Sequence, residues 1–275
     1  MFELRETPEI TASVAELFSL KGKTCVVTGG SSGIGSSIVE AYASMGATVI
    51  IVYNSTPVDE VVKDLSKKYG VIVDSYKCNL LEVKEIEGLF DNVIQKYSKI
   101  DVFVANAGIC WFHGGASEFE SCEQLADNWE KFMNADLSSV YYCAAFVGKI
   151  FEKQGFGSLI LTASMSASII NAPQLQTPYN VAKAGVKHMA KSLAVEWSAI
   201  GDGKIRVNSV SPGYVKTKMT GIRDPAMVEK WCKLTPLGRM ASPKEVCGAY
   251  VYLASDASSY TTGFDMVVDG GFSLI

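Results

Sequence analysis

The sequence predicts an α/β protein in which a single domain contains one doubly wound, mostly parallel sheet. Three observations lead to this prediction. Short apolar runs rich in β-branched residues alternate with helical patterns along the whole chain, which is typical of a parallel sheet with helices on both faces. The first of these runs leads into a glycine-rich turn that opens a helix. A length of 275 residues, 48% hydrophobic and 20% charged, suits one large core, and no internal repeat or low-complexity linker divides it.

The predicted elements follow one another in strand–helix order. We expect strands at residues 24–28, 47–53, 71–77, 100–106, 158–162, 205–210 and 266–268. We expect helices at residues 34–45, 58–69, 82–97, 179–197, 224–234 and 243–253, and one long helix or a broken pair within residues 125–152. Residues 1–20 carry a helical pattern through Ile10, Val14, Leu17 and Phe18. We interpret them as an N-terminal extension that packs on the domain or on a partner subunit, with residues 21–275 as the domain.

Charge and cysteine content argue against several classes of function. The net charge of -4 offers no basic surface, so no nucleic-acid partner is expected. The seven cysteines form no Cys-x-x-Cys or Cys/His cluster and only two histidines occur, so we expect no metal site. No apolar run approaches transmembrane length and the acidic N-terminus lacks the pattern of a signal peptide. We therefore expect a cytoplasmic protein with reduced thiols and no membrane partner.

The glycine-rich turn follows the first predicted strand directly. Its spacing is Gly29-x-x-x-Gly33-x-Gly35, and a helical pattern begins at Ile34. Such a strand–turn–helix unit binds phosphate in Rossmann-type sheets, because backbone N–H groups and the helix dipole face the anion and glycine lets the backbone approach it. The alternative is a strand–helix turn that merely needs glycine. The position of the turn at the first junction of the chain favours a dinucleotide cofactor.

The end of the second predicted strand bears on which dinucleotide is bound. In such sheets an Asp or Glu at this point binds the ribose hydroxyls of NAD. Here the strand ends in Tyr53-Asn54-Ser55, and no acid follows until Asp59. Neutral donors accept a 2′-phosphate that a carboxylate would repel, so the sequence favours NADP(H). The alternative is that residues 54–57 only cap the next helix.

Tyr179 and Lys183 form a candidate reactive pair. They are four residues apart, so on a helix they lie on the same face, and Pro178 precedes them as a proline in a first helical turn would. An ammonium beside a phenol favours the phenolate, so the pair would lower the tyrosine pKa and make the residue a usable proton donor. The alternative is an ordinary helix with a surface tyrosine and a solvated lysine.

Taken together, these motifs resemble those of the short-chain dehydrogenase/reductase family over about residues 21–272. The shared motifs are Thr28 to Gly35, Asn106-Ala107-Gly108, Ser164, Tyr179-x-x-x-Lys183 and Pro212-Gly213-x-Val215-x-Thr217. Within the family, the chain is similar to fungal, mainly yeast, reductases of polyols and carbonyl compounds, such as sorbose reductases and mannitol dehydrogenases. That similarity lies in residues 101–108, 140–143, 173–176 and 250–255.

The resemblance implies a catalytic role for four residues. Tyr179 would protonate the carbonyl oxygen in reduction, and Lys183 would lower its pKa and hold the nicotinamide ribose. Ser164, chosen over Ser166 because it matches the family's turn better, would bind the substrate oxygen. Asp136 stands where the family has an Asn in a helix that bends around a water of the proton relay. The exchange implies a different pH profile rather than an inactive site.

The resemblance also implies cofactor contacts. Ile34 would lie by the pyrophosphate, Asn79 by the adenine and Asn106 by the adenine ribose. Val215 and Thr217 would hold the carboxamide. With the end of the second strand included, the predicted cofactor-binding residues are Gly29, Ser31, Ser32, Gly33, Ile34, Gly35, Asn54, Ser55, Asn79, Asn106, Ala107, Gly108, Tyr179, Lys183, Pro212, Gly213, Val215 and Thr217.

A substrate lid is expected at about residues 218–237, where the family carries one. Its apolar residues are Met219, Ile222, Met227, Trp231 and Leu234, although Trp231 and Leu234 also fit plain contacts of an amphipathic helix with the core. On the other side of the pocket, the wall would consist of Trp111, Phe112 and His113.

The leading hypothesis is an NADPH-dependent reductase of a ketose or other small ketone, reversible to the polyol. The alternatives are an NAD-dependent polyol dehydrogenase of the arabinitol type, a 3-ketoacyl reductase, or a dinucleotide-binding sensor without catalysis. The resemblance further implies a homotetramer built on two-fold axes, with residues 272–275 reaching a neighbouring subunit.

Overall fold

The computed structural model describes residues 4–111, 114–221 and 224–275. Seven strands form one sheet in the order β3-β2-β1-β4-β5-β6-β7, and each pair of neighbouring strands is parallel. The strands are β1 (Thr24–Thr28), β2 (Thr48–Tyr53), β3 (Val73–Lys77), β4 (Val102–Ala105), β5 (Gly157–Thr162), β6 (Ile205–Pro212) and β7 (Asp265–Val268). The predicted α/β fold with a doubly wound sheet is confirmed, and the sheet is parallel throughout the described residues.

Helices cover both faces of the sheet. They are α1 (Val14–Leu17), α2 (Gly33–Ser44), α3 (Asp59–Tyr69), α4 (Val83–Tyr97), α5 (Cys122–Met133), α6 (Ser139–Gln154), α7 (Thr177–Glu196), α8 (Lys218–Gly221), α9 (Pro225–Leu234) and α10 (Pro243–Ala254). Helices α4, α6 and α7 contribute to one hydrophobic cluster, and α2, α3 and α10 contribute to a second. In the described part of the chain, no helix is both long enough and apolar enough to cross a membrane.

The two clusters take alternate residues from the central strands. In β5, Leu159 and Leu161 belong to the cluster with α4, α6 and α7, whereas Ile160 belongs to the other. In β4, Phe103 and Val104 divide in the same way. Successive side chains of a strand point to opposite faces, so a strand covered on both faces is apolar at every position. This explains why central strands such as β2 and β4 are continuous apolar runs rather than alternating ones.

The helical region predicted within residues 125–152 is continuous but irregular. Helix α5 passes directly into a π-helical turn, Asn134–Ser138, which passes directly into α6. The Ser139 N–H bonds to the Asn134 carbonyl, five residues earlier, instead of the usual four. The extra residue creates a local bulge in the helix, and Asp136 lies in it.

At the N-terminus, only part of the predicted helical pattern forms a helix. α1 covers four residues, begins at a capping box made by Ser13 and Glu16, and leaves Ile10 outside. Ile10 is 55% exposed, so it gains no apolar packing that would extend the helix. The segment contacts the body of the protein through Arg5, which donates to the Ser198 carbonyl at 2.8 Å, and through Phe18, which packs near Tyr252. We retain residues 1–20 as a proposed extension of the domain at 21–275.

The order of the strands determines where a ligand can bind. From β1 the chain winds outward through β2 and β3, then returns to place β4 on the other side of β1 and winds outward through β7. Open α/β sheets bind ligands in the crevice at such a switch point, outside the carboxyl ends of the strands. The Gly29 turn follows β1 and Asn106 follows β4, so both lie at this crevice.

Candidate active site

A cleft with a volume of about 520 Å³ lies at the carboxyl ends of the central strands. Every residue predicted to take part in catalysis or cofactor binding lines it, from the glycine turn after β1 to Thr217 after β6. Residues predicted from separate motifs, far apart in the chain, therefore meet in one place.

The glycine turn forms a cradle in which Gly29 and Gly35 have no room for a side chain. Gly29 and Gly33 have φ values of +64° and +58°, a region that favours glycine. A Cβ on Gly29 would lie 3.0 Å from the Ala107 Cα, and a Cβ on Gly35 would collide with the Gly29 carbonyl oxygen. Ser32 caps α2 without a side-chain hydrogen bond, so the first N–H groups of the helix remain available to a ligand. These features fit the pyrophosphate of a dinucleotide.

Asn106 joins the ends of β1 and β4. Its Nδ2 donates to the Thr28 carbonyl at 3.0 Å, and its backbone N–H donates to Thr28 Oγ1 at 2.9 Å. The Ala107 N–H donates to the same hydroxyl at 3.1 Å. The predicted ribose contact of Asn106 is therefore combined with a structural function, since the side chain sets the floor of the cleft beside the glycine turn.

The end of the cleft at β2 is neutral. Asn54 and Ser55 are exposed and line the cleft, and Asn79 lines it from the end of β3, where its Oδ1 accepts from the Leu81 N–H at 3.2 Å. Among the described lining residues, the one carboxylate is that of Asp136, which is ion-paired with Lys183. A 2′-phosphate at the β2 end would thus meet no repelling carboxylate.

On the loop after β6, Thr217 faces the glycine turn. A Cβ on Gly33 would lie 3.5 Å from Thr217 Cγ2. The Thr217 N–H donates to Thr220 Oγ1 at 2.9 Å, and that hydroxyl donates to the Val215 carbonyl at 2.8 Å. These bonds hold the loop over the cradle, which is the arrangement needed for the predicted carboxamide contacts of Val215 and Thr217.

Tyr179, Lys183 and Ser164 converge at the centre of the cleft. Lys183 Nζ lies 5.7 Å from the centroid of the Tyr179 ring and donates to the Thr162 carbonyl at 3.2 Å. Ser164 lies close enough to the Tyr179 phenol to lower its pKa. Ser166 accepts from Gln176 Nε2 at 3.2 Å. Both serines line the cleft, and the choice of Ser164 over Ser166 stays a prediction.

The pKa of Tyr179 is raised overall, although Lys183 lowers it as the spacing of the pair predicts. Burial of the phenol has the largest effect and raises the pKa, while Lys183 and Ser164 oppose that effect without reversing it. The spacing of the two residues predicts that the lysine charge lies near the phenol, but it does not predict how deeply the phenol is buried. With a raised pKa, the tyrosine holds its proton at neutral pH.

Asp136 lies behind Lys183 and is fully buried in the π-helical turn. Its Oδ2 accepts from the Ile109 N–H at 2.9 Å, and its Oδ1 lies 3.2 Å from Lys183 Nζ. Burial raises the pKa of Asp136, and Lys183 opposes this effect. Burial lowers the pKa of Lys183, but Asp136 and Tyr179 more than offset it, so the lysine pKa is raised. The lysine is thus kept protonated beside the phenol.

Part of the predicted lid can be located. Trp231 is 2% exposed, stacks on Tyr214 with ring centroids 4.1 Å apart, and lines the cleft, so it is both a core and a pocket residue. Trp111 lines the cleft from the opposite loop. Phe112, His113 and Ile222 lie outside the described residues, and nothing is described of the Met219 side chain. The lid at 218–237 remains a proposal.

Three amides that line the cleft had been assigned no role from the sequence. Asn171, Gln174 and Gln176 lie between Ser164 and Tyr179 in the chain and line the cleft beside them. Asparagine and glutamine are uncharged and follow no fixed spacing, so no motif marks them. The available signal was three amides within six residues, immediately before the helix that carries Tyr179.

Known proteins share the whole of this architecture. A family model described as Enoyl-(Acyl carrier protein) reductase matches residues 29–273. A sorbose reductase from Candida albicans is 48% identical over 268 residues, which cover 98% of this chain and 93% of that protein. An NADP-dependent mannitol dehydrogenase from Hypocrea jecorina is 45% identical over 94% of this chain and 95% of that protein. The crystal structure of the NADPH-dependent 3-quinuclidinone reductase from Rhodotorula rubra is similar with a TM-score of 0.90 and 38% identity, covering 98% of each chain.

Proposed function

Because the chain belongs to the short-chain dehydrogenase/reductase family, we propose that it is an NADP(H)-dependent oxidoreductase that reduces the carbonyl of a ketose or other small ketone. The reverse reaction oxidises the polyol or alcohol. One observation carries the proposal: Ser164, Tyr179 and the Lys183–Asp136 pair share a single cleft with the glycine cradle. The names of the similar proteins, a sorbose reductase and an NADP-dependent mannitol dehydrogenase, support the ketose and the cofactor.

The residues that line the cleft would hold the cofactor. The cradle and the N-terminus of α2 would bind the pyrophosphate, and the neutral side chains of Asn54 and Ser55 would donate to the 2′-phosphate. Asn79 and Asn106 would contact the adenosine, and Val215 and Thr217 would hold the carboxamide. When bound, NADPH supplies the hydride that forms the new C–H bond at the carbonyl carbon.

The chain's own residues supply the proton and stabilise the charge. The Ser164 hydroxyl donates a hydrogen bond to the substrate oxygen as negative charge develops on it. Tyr179 transfers its phenolic proton to that oxygen, so that the ketone gains one hydride and one proton and becomes the alcohol. Lys183, protonated and held by Asp136, stabilises the phenolate that remains. In the oxidative direction the same groups act in reverse order.

A panel of ketones with both cofactors tests the proposal. Purified protein should oxidise NADPH in the presence of L-sorbose, D-fructose or L-xylulose, and should use NADH less efficiently by about tenfold or more, since a 2′-phosphate contact contributes more than 1 kcal/mol. Tyr179→Phe should lose about 10³-fold in kcat because the proton donor is absent. Full activity of Tyr179→Phe, or equal use of NADH, would contradict the respective assignment.

We also propose that the protein is a cytoplasmic homotetramer. The cysteines of the described residues form no disulfide with one another, as suits a reducing compartment. On the outer faces of α6 and α7, Tyr141 and Val195 are 53% and 62% exposed, which leaves apolar surface for a neighbouring subunit. Light scattering coupled to gel filtration should give four times the chain mass, and the mass of one chain would contradict the tetramer.

A further inference from the structure

The wall of the cleft beside Ser164 and Tyr179 carries an amide cluster, which we define as Asn171, Gln174 and Gln176. From its contacts we propose that this wall selects polyhydroxylated ketones over ketones without hydroxyl groups, with Gln176 as the positioning residue. The inference rests on the proposed ketone reduction and specifies its substrate class and the residues that determine it.

Gln176 uses its hydrogen-bonding capacity within the protein. It is 6% exposed, and its Nε2 lies 3.2 Å from Ser166 Oγ, 3.2 Å from Asn171 Oδ1 and 3.1 Å from Asn180 Oδ1. Its Oε1 accepts from Gln174 Nε2. A side chain with both ends occupied in this way has little left for a ligand. Its effect on a ligand is exerted through the neighbours whose orientation it fixes.

The orientation of these neighbours leaves donors for a ligand. Gln176 occupies the oxygens of Ser166 and Asn171, which are only 4% and 2% exposed. The Asn171 Nδ2 group makes no hydrogen bond to the described residues, and the Ser166 hydroxyl proton remains free to donate. A ligand with several hydroxyl oxygens would accept hydrogen bonds from both groups.

A second, independent donor lies on helix α9, which forms another wall of the cleft. Trp231 lines the cleft, is 2% exposed, and its Nε1–H has no hydrogen-bond partner among the described residues. The two walls are linked, because Tyr214 stacks on Trp231 with an interplanar angle of 10° and its hydroxyl donates to Gln174 Oε1 at 3.4 Å. Two of the elements that line the cleft therefore carry donors, the segment before α7 and helix α9.

The chemistry of these donors favours an uncharged ligand. Amide, hydroxyl and indole groups donate to hydroxyl oxygens without requiring a counter-charge. Of the lysines that line the cleft, Lys183 is paired with Asp136 and Lys218 is exposed beyond β6. A hydroxyl-rich, neutral ketone in its open-chain form satisfies the donors, whereas a simple ketone leaves them unpaired, which is the situation in which polar sites discriminate most strongly.

The test compares L-sorbose with 2-hexanone, which share a six-carbon chain and a carbonyl at the second carbon. The measured quantity is the ratio of kcat/KM for the two ketones, with NADPH as the cofactor. Wild-type protein should favour L-sorbose. Trp231→Phe retains an aromatic ring on Tyr214 but removes the N–H, and it should lower the ratio about tenfold, mainly through KM for L-sorbose, as expected for one lost hydrogen bond.

Gln176→Leu should lower the same ratio by more than about tenfold, because several donors lose their orientation together. Gln95→Leu, an exposed position on α4 outside the cleft, is the matched control and should change nothing. An unchanged ratio in both cleft variants, an equal loss on both ketones, or a wild-type preference for 2-hexanone would overturn the inference. If the wild type reduced 2-hexanone but not L-sorbose, only this inference would fail. If it reduced neither ketone, the proposed function itself would fail.

Discussion

Two lysines one turn apart on α7 each pair with an aspartate, and the two pairs differ in how they are surrounded. Lys183 meets Asp136 at 3.2 Å, and Lys187 meets Asp265 at 3.0 Å. In each aspartate, the oxygen nearest the lysine has no other polar partner among the described residues. The second oxygen of Asp136 accepts one backbone N–H, whereas that of Asp265 accepts the hydroxyls of Ser209 and Ser211, both at 2.7 Å.

The two lysines also differ in their burial and in their position relative to the cleft. Lys183 is almost fully buried, lines the cleft and lies against the Tyr179 ring. Lys187 has a side chain that is 24% exposed, bonds to Ser168 and does not line the cleft. The same ion-pair chemistry on one helix therefore serves two purposes. A pair with few other bonds, next to a phenol, is suited to proton transfer, and a pair with a fuller set of bonds ties α7 to the sheet.

The largest expected effect comes from removing each lysine's charge. Lys183→Met should reduce kcat for L-sorbose about 10³-fold, because the phenolate loses its stabilising charge, whereas Lys187→Met should stay within about threefold of the wild type. Initial rates of NADPH oxidation measure both, with circular dichroism to check folding. Equal losses in the two variants would mean that the pairs do not differ in function.

A smaller effect is expected on the free energy of unfolding, when the Lys187–Asp265 pair is broken. Asp265→Ala leaves Ser209, Ser211 and Lys187 without their acceptor and should lower the free energy of unfolding by roughly 2–4 kcal/mol. Asp265→Asn is the matched control, since its side-chain oxygen still accepts from the two serines, and it should lose less. Urea unfolding at a fixed protein concentration measures both. A midpoint unchanged in Asp265→Ala would show that the saturated pair adds no stability.

The parts of the fold and of the site that depend on residues close together in the chain could be predicted from the sequence, whereas contacts between distant residues could not. Tyr179 and Lys183 are related by helical spacing, so their shared face was predictable. The strands were predictable because continuous apolar runs are required by a sheet that is buried on both sides. The partners Asp136 and Asp265 come from a distant helix and a distant strand, so only the fold reveals the two ion pairs. The π-helical turn has no residue signature, and the sequence therefore predicted only a long helix or a broken pair.

Burial explains two features that the sequence did not predict. The direction of the Tyr179 pKa depends on how much water reaches the phenol, which the spacing to Lys183 does not reveal. The N-terminal helix is short because Ile10 finds no apolar partner, although its spacing fits the pattern. The amide cluster was overlooked for a related reason, since glutamine and asparagine are ordinary surface residues until the fold encloses them.

The smallest expected effect is a change in pH dependence, and it should distinguish the two aspartates. Reduction requires protonated Tyr179, so the rate falls as the pH rises through the tyrosine pKa. Burial raises that pKa, and the Asp136 carboxylate raises it further. Asp136 also raises the pKa of Lys183 against the effect of burial.

The amide of Asp136→Asn removes both contributions to the pKa values of Tyr179 and Lys183. The alkaline limb of the kcat/KM profile should therefore move to lower pH, while the rate below that limb should change by less than about tenfold. Asp265→Asn should leave the limb where it is in the wild type. Profiles of L-sorbose reduction with NADPH measure this, and a limb that moves to higher pH in Asp136→Asn, or moves equally in both variants, would contradict the assignment of Asp136 to the reacting pair.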